Sequence, residues 1–331
     1  VVKALDRKLL SELRQLWSQA LTLAVVVASA VAGFITTFSA QDSLAWSRDL
    51  YYARSHFADV FIDLKRAPTT LVPRLQAVSG VAQVETSINL LSQIDIPGIP
   101  DPITGRMIGI KPNALPELNR IFIRSGKLIT SHQTGAMDVL VSEAFANARG
   151  LQLGSSLHAL LNGKRQEFRI AGIALSPDYI FAGLIGAPDL KGFGVFWVDE
   201  KALANASNME GAFNHVVARL APGINEASVI DALDRLIAPY GSTRAYGRSE
   251  QMSHKVLNSE IQEQRVLGTV CPIIFLSIAA FLLNIVIGRH ISLQREQIAA
   301  LKALGYTNVA IATHYLKLVM IIVFFGVFIG C

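Results

Sequence analysis

The sequence predicts a membrane protein with α-helical transmembrane spans and one large α+β domain outside the cytoplasm. Two observations carry this. No charged residue lies between Arg14 and Asp42 or between Arg265 and Arg289, and each gap can cross a hydrocarbon core of about 30 Å at about 1.5 Å per helical residue. Hydrophobic residues make up 51% of the chain against 17% charged, with a mean hydropathy of +0.40, more apolar content than one soluble core requires.

The elements follow in order. Residues 1–19 place Leu5, Leu9, Leu13 and Leu16 at helical spacing, with Trp17 beside the apolar run, as in an amphipathic helix at the cytoplasmic membrane interface. An ordinary cytosolic helix has the same pattern. Residues 20–41 form the first span. A cleaved leader also begins basic and ends in small residues such as TTFSA, but its apolar core is roughly 7 to 15 residues, shorter than this run. The second span covers 266–288, with Pro272 expected near its start, where a helix tolerates proline best. A third run opens after Lys317 and stops at Cys331, so 316–331 reads as the start of a third span too short to cross.

Basic residues set the orientation. Lys3, Arg7, Lys8 and Arg14 precede the first span, and Arg289, Arg295 and Lys302 follow the second, so the positive-inside rule places both ends in the cytoplasm and residues 42–264 outside. Both cysteines, Cys271 and Cys331, lie in apolar runs. The outer domain therefore relies on its own core rather than on disulfides, and a cysteine metal site there is excluded.

Within 42–264, FADVFIDL (57–64) is rich in strand formers, PTTLVPRLQAVSG (68–80) has the spacing of a short helix, and VAQVETSI (81–88) alternates as a strand. The order returns in FNHVVARL (213–220), NEASVIDALDRLIAPYG (225–241) and STRAYGR (242–248). Two β-α-β units parted by a long insertion predict a split, ferredoxin-like lobe, about 42–95 and 212–264. The insertion, about 96–211, reads as a β-rich second lobe. IPGIPDP opens it as a linker or tight turn, VLVSEAFANARG (139–150) is a strand and a helix closed at Gly150, LHALLNGKRQEFRIAGIA (157–174) is a hairpin turning at Asn162-Gly163, and FGVFWVD (193–199) is an apolar strand.

Several chemistries are excluded by sequence. Gly163-Lys164 and Gly126-Lys127 lack the upstream glycine and following Ser or Thr of a phosphate-binding loop, and neither G-x-S-x-G nor H-E-x-x-H occurs. The seven histidines are scattered; His56, His132, His158, His215 and His254 read as surface or structural. The net charge of +5 includes juxtamembrane residues that serve topology, and no aromatic-basic interleaving supports nucleic-acid binding. SPDYIF (176–181), followed by Gly183 and Gly186, is either a loop presenting Tyr179 and Phe181 to a partner or a turn that tucks both rings into the lobe.

The segment QREQIAALKALGYTN (294–308) sits between two spans. A helix there puts Ile298, Leu301 and Leu304 on one apolar stripe, leaves Arg295, Glu296 and Lys302 charged at the membrane surface, and stops at Gly305. Physics alone leaves it as a surface anchor or as a handle by which another protein moves the spans.

A span followed by RHISLQREQIAALKALGYTNVAIATHYLKL and another apolar run resembles the core of the FtsX-like permeases, the membrane subunits of MacB-type ABC transporters. The family usually has a glycine where this chain has Gln297 and Ile298. VLVSEAFANARGLQLGSSL and NGKRQEFRIAGIALSPDYI are similar to MacB-like periplasmic core domains, with Ser155 where an aspartate is frequent. The resemblance implies a split ferredoxin-like porter lobe carrying an inserted β-rich lobe. It also implies a non-catalytic permease subunit in a bacterial inner membrane. A separate cytoplasmic ATPase would bind ATP and Mg, so this chain needs no cofactor of its own. A coupling helix of Arg295, Glu296, Ile298, Leu301, Lys302, Leu304 and Gly305 would pass the ATPase motion to the outer domain. Implied partners are that ATPase, a second permease protomer or half, membrane lipids, and a periplasmic adaptor or secreted partner. Implied substrates are lipophilic molecules, lipoproteins or peptides. A membrane receptor with an outer ligand-binding domain is the alternative; it has no need of a third span.

Overall fold

The structure, a computed structural model, describes residues 4–131, 136–183 and 188–331, with side chains from Arg7 onward. The readings on Lys3, the Leu5 side chain, His132 and Gly186 lie outside the described residues. The chain divides into two compact units, Val1–Trp46 with Glu260–Cys331, and Ser47–Ser259.

Along the chain come α1 (Ala4–Gln15), α2 (Trp17–Arg54), β1 (Val60–Pro68), α3 (Val72–Gln76), β2 (Val81–Ser87), β3 (Asn89–Ile96), β4 (Ile99–Ile110) and β5 (Phe122–Gly126). They are followed by β6 (Met137–Ser142), α4 (Glu143–Arg149), β7 (Ser156–Leu161), β8 (Lys164–Leu175), β9 (Phe193–Asp199), α5 (Glu200–Ser207) and β10 (Ala212–Leu220). The chain ends with α6 (Glu226–Ile237), β11 (Tyr246–Gly247), α7 (Met252–Leu293), α8 (Arg295–Ala303) and α9 (Asn308–Gly330).

Among the described residues three helices, α2, α7 and α9, are long and apolar enough to cross a membrane. Helix α2 runs for 38 residues and α7 for 42, about 57 and 63 Å at about 1.5 Å per residue, roughly twice a hydrocarbon core. Both outrun their uncharged stretches. Neither 42–54 nor 252–265 contains glycine or proline, so nothing local stops the helix where the charges begin. Pro272 therefore lies well inside α7 rather than near its start; neighbouring helices and local adjustment let a membrane helix keep an interior proline. Helix α9 also corrects the expectation of a span cut short. It starts at Asn308, capped by the Thr307 side chain accepting from Ala310 N, and its 23 residues suffice to cross. Placing the start of the span after Lys317 discounted His314, Tyr315 and Lys317, which stand within the helix.

In the first unit, Leu9 of α1 packs with Ala20, Leu23 and Ala24 of α2 and Leu318 and Ile322 of α9. The apolar stripe expected to lie on lipid is thus covered by protein at Leu9, while Leu10 and Trp17 remain exposed. Helices α2 and α9 approach closely because Gly326 and Gly330 have no side chain: a Cβ on Gly326 would meet Val27 at 2.7 Å.

The second unit contains two lobes. In the first, a four-stranded antiparallel sheet has the order β11-β1-β10-β2, the fourth, first, third and second strands of a β-α-β/β-α-β pair, as the split ferredoxin-like reading requires. Alternation sends Val60, Ile62 and Leu64 to the helix-covered face, against Val229, Leu233 and Ile237 of α6 and Leu75 of α3. Each fully buried aliphatic side chain contributes about 1.5–3 kcal/mol. STRAYGR pairs only at Tyr246 and Gly247. Beyond them Arg248 turns back to donate to Phe57 O at 2.7 Å and to Asp59 Oδ1 at 2.6 Å.

The second lobe is a seven-stranded sheet, β5-β8-β6-β9-β4-β3-β7, in which β7 also pairs with β8. That pairing closes six strands into a small barrel around Met107, Val141, Phe145, Phe168 and Phe196 and leaves β5, paired only with β8, at the edge. It begins at Asn89 rather than 96, because IPGIPDP is a hairpin: Gly98 takes φ +84° in the turn, and β4 continues through both following prolines. Asn162 and Gly163, at φ +47° and +74°, form the expected two-residue turn.

Candidate functional site

The segment between α7 and α9 is a distinct helix. Gln294 leaves helical geometry at φ −99°, ψ +18°, and α8 then runs from Arg295 to Ala303. Its end is a Schellman motif. Gly305 N donates to Lys302 O at 3.0 Å and Tyr306 N to Leu301 O at 3.1 Å, with Gly305 at φ +90°, a conformation glycine adopts without steric cost.

The predicted residues divide by exposure. Arg295, Glu296, Lys302 and Gly305 face solvent, while Ile298 and Leu301 are half-buried. Leu304 departs from the predicted stripe. It is the C-cap, 77% exposed, because the chain has left helical geometry before a third apolar turn can form. Helix α8 thus offers a charged outer face and one exposed leucine at its tip.

What fixes its base is a buried polar network that periodicity does not show. Gln294 Oε1 accepts from Tyr315 Oη at 2.9 Å and from Lys8 Nζ at 3.0 Å. Lys8 also donates to Glu12 Oε1 at 2.6 Å, and His314 Nε2 lies 2.8 Å from Glu12 Oε2. His290 Nε2 is 3.9 Å from the same oxygen. Burial acts to raise the pKa of Glu12, but hydrogen bonds from Lys8 and His314 outweigh it and hold the carboxyl below its ordinary value. The α7–α8 junction is therefore tied to α1 through Lys8 and to α9 through Tyr315, with the ionised Glu12 carboxylate holding Lys8 and His314 together.

In the second unit, Tyr179 packs inward. Its ring lies 6.5 Å from that of Trp197 and its hydroxyl accepts from Asn89 Nδ2 at 3.2 Å; burial pushes its pKa up to about 12. Phe181 is half-buried, and its backbone N donates to Ser253 Oγ at 3.2 Å. The Tyr179 ring packs inside the lobe, while Phe181 is half-buried and held through its main chain.

Residues 269–331, from within α7 through α8 and α9, match the model of the FtsX-like permease C-terminal family. This part of the chain is similar to the FtsX-like permeases. No curated protein matches it in sequence. Three solved structures also match the chain. The periplasmic region of MacB from Actinobacillus actinomycetemcomitans is 11% identical, at TM-score 0.36, over 64% of this chain and 95% of that one. The extracellular domain of the noncanonic ABC-type transporter YknZ from Gram-positive bacteria is 14% identical, at TM-score 0.36, over 57% and 98%. A domain of a permease protein from Porphyromonas gingivalis is 15% identical, at TM-score 0.33, over 57% and 89%.

The FtsX-like segment contains every residue predicted for the coupling helix, and also Gln294, His314 and Tyr315, which sequence reading passed over. Lys8 and Glu12 lie far outside it in sequence. One signal was available: a lone glutamate on the leucine face of an amphipathic helix, where burial demands a partner.

Proposed function

We propose that this permease couples a separate cytoplasmic ATPase to movement of its extracytoplasmic domain. The carrying observation is the exposed helix α8 on a fixed base. A short charged helix between two spans, ended by a glycine cap and tied at Gln294 to α1 and α9, is built to receive a push and pass it on as a rigid body. ATP and Mg belong to the ATPase in this reading. The subunit acts in a bacterial inner membrane with a second permease protomer or half, and with a periplasmic adaptor or secreted partner where the assembly needs one. The substrate class is lipophilic molecules, lipoproteins or peptides, moved by export or extraction. The length of α9 favours this reading over a two-span receptor.

The test is co-purification of the full chain with candidate ATPase subunits, with ATP hydrolysis measured in nanodiscs. A stable complex whose rate responds to substitution of Arg295, Glu296 or Leu301 supports the coupling; no complex with any candidate removes it.

A further inference from the structure

The buried network at the base of α8 leaves one of its members unused. His290, in the last turn of α7, is 7% exposed, and its Nε2 is closed off without a hydrogen-bond partner. Glu12 Oε2 stands 3.9 Å from it, beyond hydrogen-bond reach. That oxygen already accepts from His314 Nε2 at 2.8 Å, but a carboxylate oxygen has room for a second donor. An ionised carboxylate only accepts, so a deprotonated Nε2 can form nothing with it. A protonated imidazole donates from both nitrogens.

The groups that act on His290 come from two other helices. Helix α1 brings Glu12 and Lys8, and α9 brings His314 and the Tyr315 ring, edge-on with its centroid at 6.2 Å. Helix α2 adds only the apolar Ala20, Leu23 and Ala24 to the adjoining core, and Arg289, Arg295 and Glu296 are exposed. Lys8 is already engaged by Glu12 and Gln294. Among the described residues no group of His, Cys, Asp and Glu gathers to hold a metal ion. A proton is what this cluster can take up, and the Lys8 side chain, 22% exposed, opens the network to solvent. His290 also stands at the hinge, since its carbonyl accepts from Gln294 N at 3.1 Å where α7 ends.

We propose that His290 is an acid-operated latch between α7 and α1. With one proton taken from solvent, Nε2–H donates to Glu12 Oε2, and the 3.9 Å gap closes to the roughly 2.8 Å of a charge-assisted hydrogen bond. That movement, one helical turn before Gln294, tightens the base on which α8 stands. Loss of the proton reopens the gap. An imidazole ordinarily titrates near about 6.5, whereas Glu12 is held below 4.5, which leaves a window in which His290 charges while Glu12 stays ionised. The latch goes beyond the ATPase reading and does not depend on it.

The test is amide hydrogen exchange of α1 in the full chain in nanodiscs, from about pH 8 down to about pH 5, with each rate corrected for the intrinsic pH dependence of exchange. In the parent, protection of α1 is expected to rise by about tenfold toward the acid end, the worth of one charged hydrogen bond. His290→Gln is expected to match the parent at the alkaline end, where neutral His290 makes no bond, and to lack the acid gain. A flat parent profile, an acid gain that survives in His290→Gln, or a variant already loosened at the alkaline end would each overturn the latch. Should that variant fail to fold, NMR of histidine-labelled parent decides instead: His290 must charge in step with the gain, and a gain without that charging overturns the inference. The exchange is read with no ATPase present, so its failure is distinguishable from failure of the co-purification.

Discussion

Glu12 Oε2 and His314 Nε2 lie 2.8 Å apart, joining the first helix to the last across 302 residues. Glu12 is 3% exposed and its other oxygen takes the Lys8 ammonium at 2.6 Å, so removing the carboxylate leaves the buried His314 imidazole without its partner and the half-buried Lys8 with Gln294 alone. Breaking such a pair costs about 3–5 kcal/mol. Glu12→Ala should lower the thermal midpoint of the full chain in nanodiscs and expose α1 to proteolysis. The network also makes a statement about pH. Because Glu12 sits below its ordinary value of 4.5 in the folded state, its contribution is complete above pH 4.5 and is lost as pH falls through the lower, folded value. An acid-melting profile of Glu12→Gln should lack that step; an unchanged profile would remove Glu12 from the account.

Helix α8 should fail as a handle without failing as a fold. Leu301→Asp places a charge where the side chain is half-buried, and Glu296→Lys reverses a charge on the exposed face. Both should abolish ATPase co-purification while leaving the circular dichroism and melting of the extracytoplasmic unit unchanged. Retained co-purification by both variants would contradict the coupling role.

The stop at Gly305 depends on backbone geometry alone. Nothing lies within 4 Å of a Cβ added there, but φ is +90°. Gly305→Val should therefore cost about 1–2 kcal/mol through strain rather than collision. ATPase stimulation should fall with little change in expression, because the alternative, continuing α8 through Leu304, would re-aim the segment entering α9. Gly305→Asn, which tolerates positive φ, should restore most of it.

Gly326 tests the opposite case, where space decides. A Cβ there would meet Val27 at 2.7 Å and the Ala24 carbonyl oxygen at 2.9 Å, a close helix approach of the kind membrane proteins build on small residues. Gly326→Leu should destabilise the membrane unit by about 1–3 kcal/mol, the usual cost of overpacking. Detergent unfolding measures this, and parent-like behaviour would mean that α2 and α9 are free to separate.

Much of the architecture was legible because local rules and tertiary demands agree. Alternation in Val60–Leu64 and the helical spacing of Val229, Leu233 and Ile237 both point to the core they form, and Asn162-Gly163 can only be a tight turn. Closure of the barrel was not legible, since it rests on β7 meeting β8 on one side and β3 on the other, and pairing partners leave no mark on periodicity. The helix limits at Arg54 and Met252 were missed because charge was taken as a boundary, whereas helix termination needs glycine, proline or a cap. Helix α8 was visible as a charged interruption between spans. Its anchor was not, because Lys8, Glu12, His314 and Gln294 are brought together only by folding.

Asp178 supplies the last prediction. Burial raises its pKa to about 7 from 3.8, with Glu85 adding to the rise, while His215 and the Asn119 hydrogen bond oppose it. Between those two values the folded unit holds a proton that the unfolded chain gives up, so stability is full below about pH 3.8, falls as pH rises toward 7, and is flat above. A few kcal/mol are at stake if the whole shift is realised, at about 1.4 kcal/mol per unit. Asp178→Asn keeps the shape and cannot ionise. It should flatten that slope and melt higher than the parent above pH 7. A parent without the slope, or an asparagine variant less stable than the parent at pH 8, would show that Oδ1 is satisfied by solvent and that the carboxylate is ordinary.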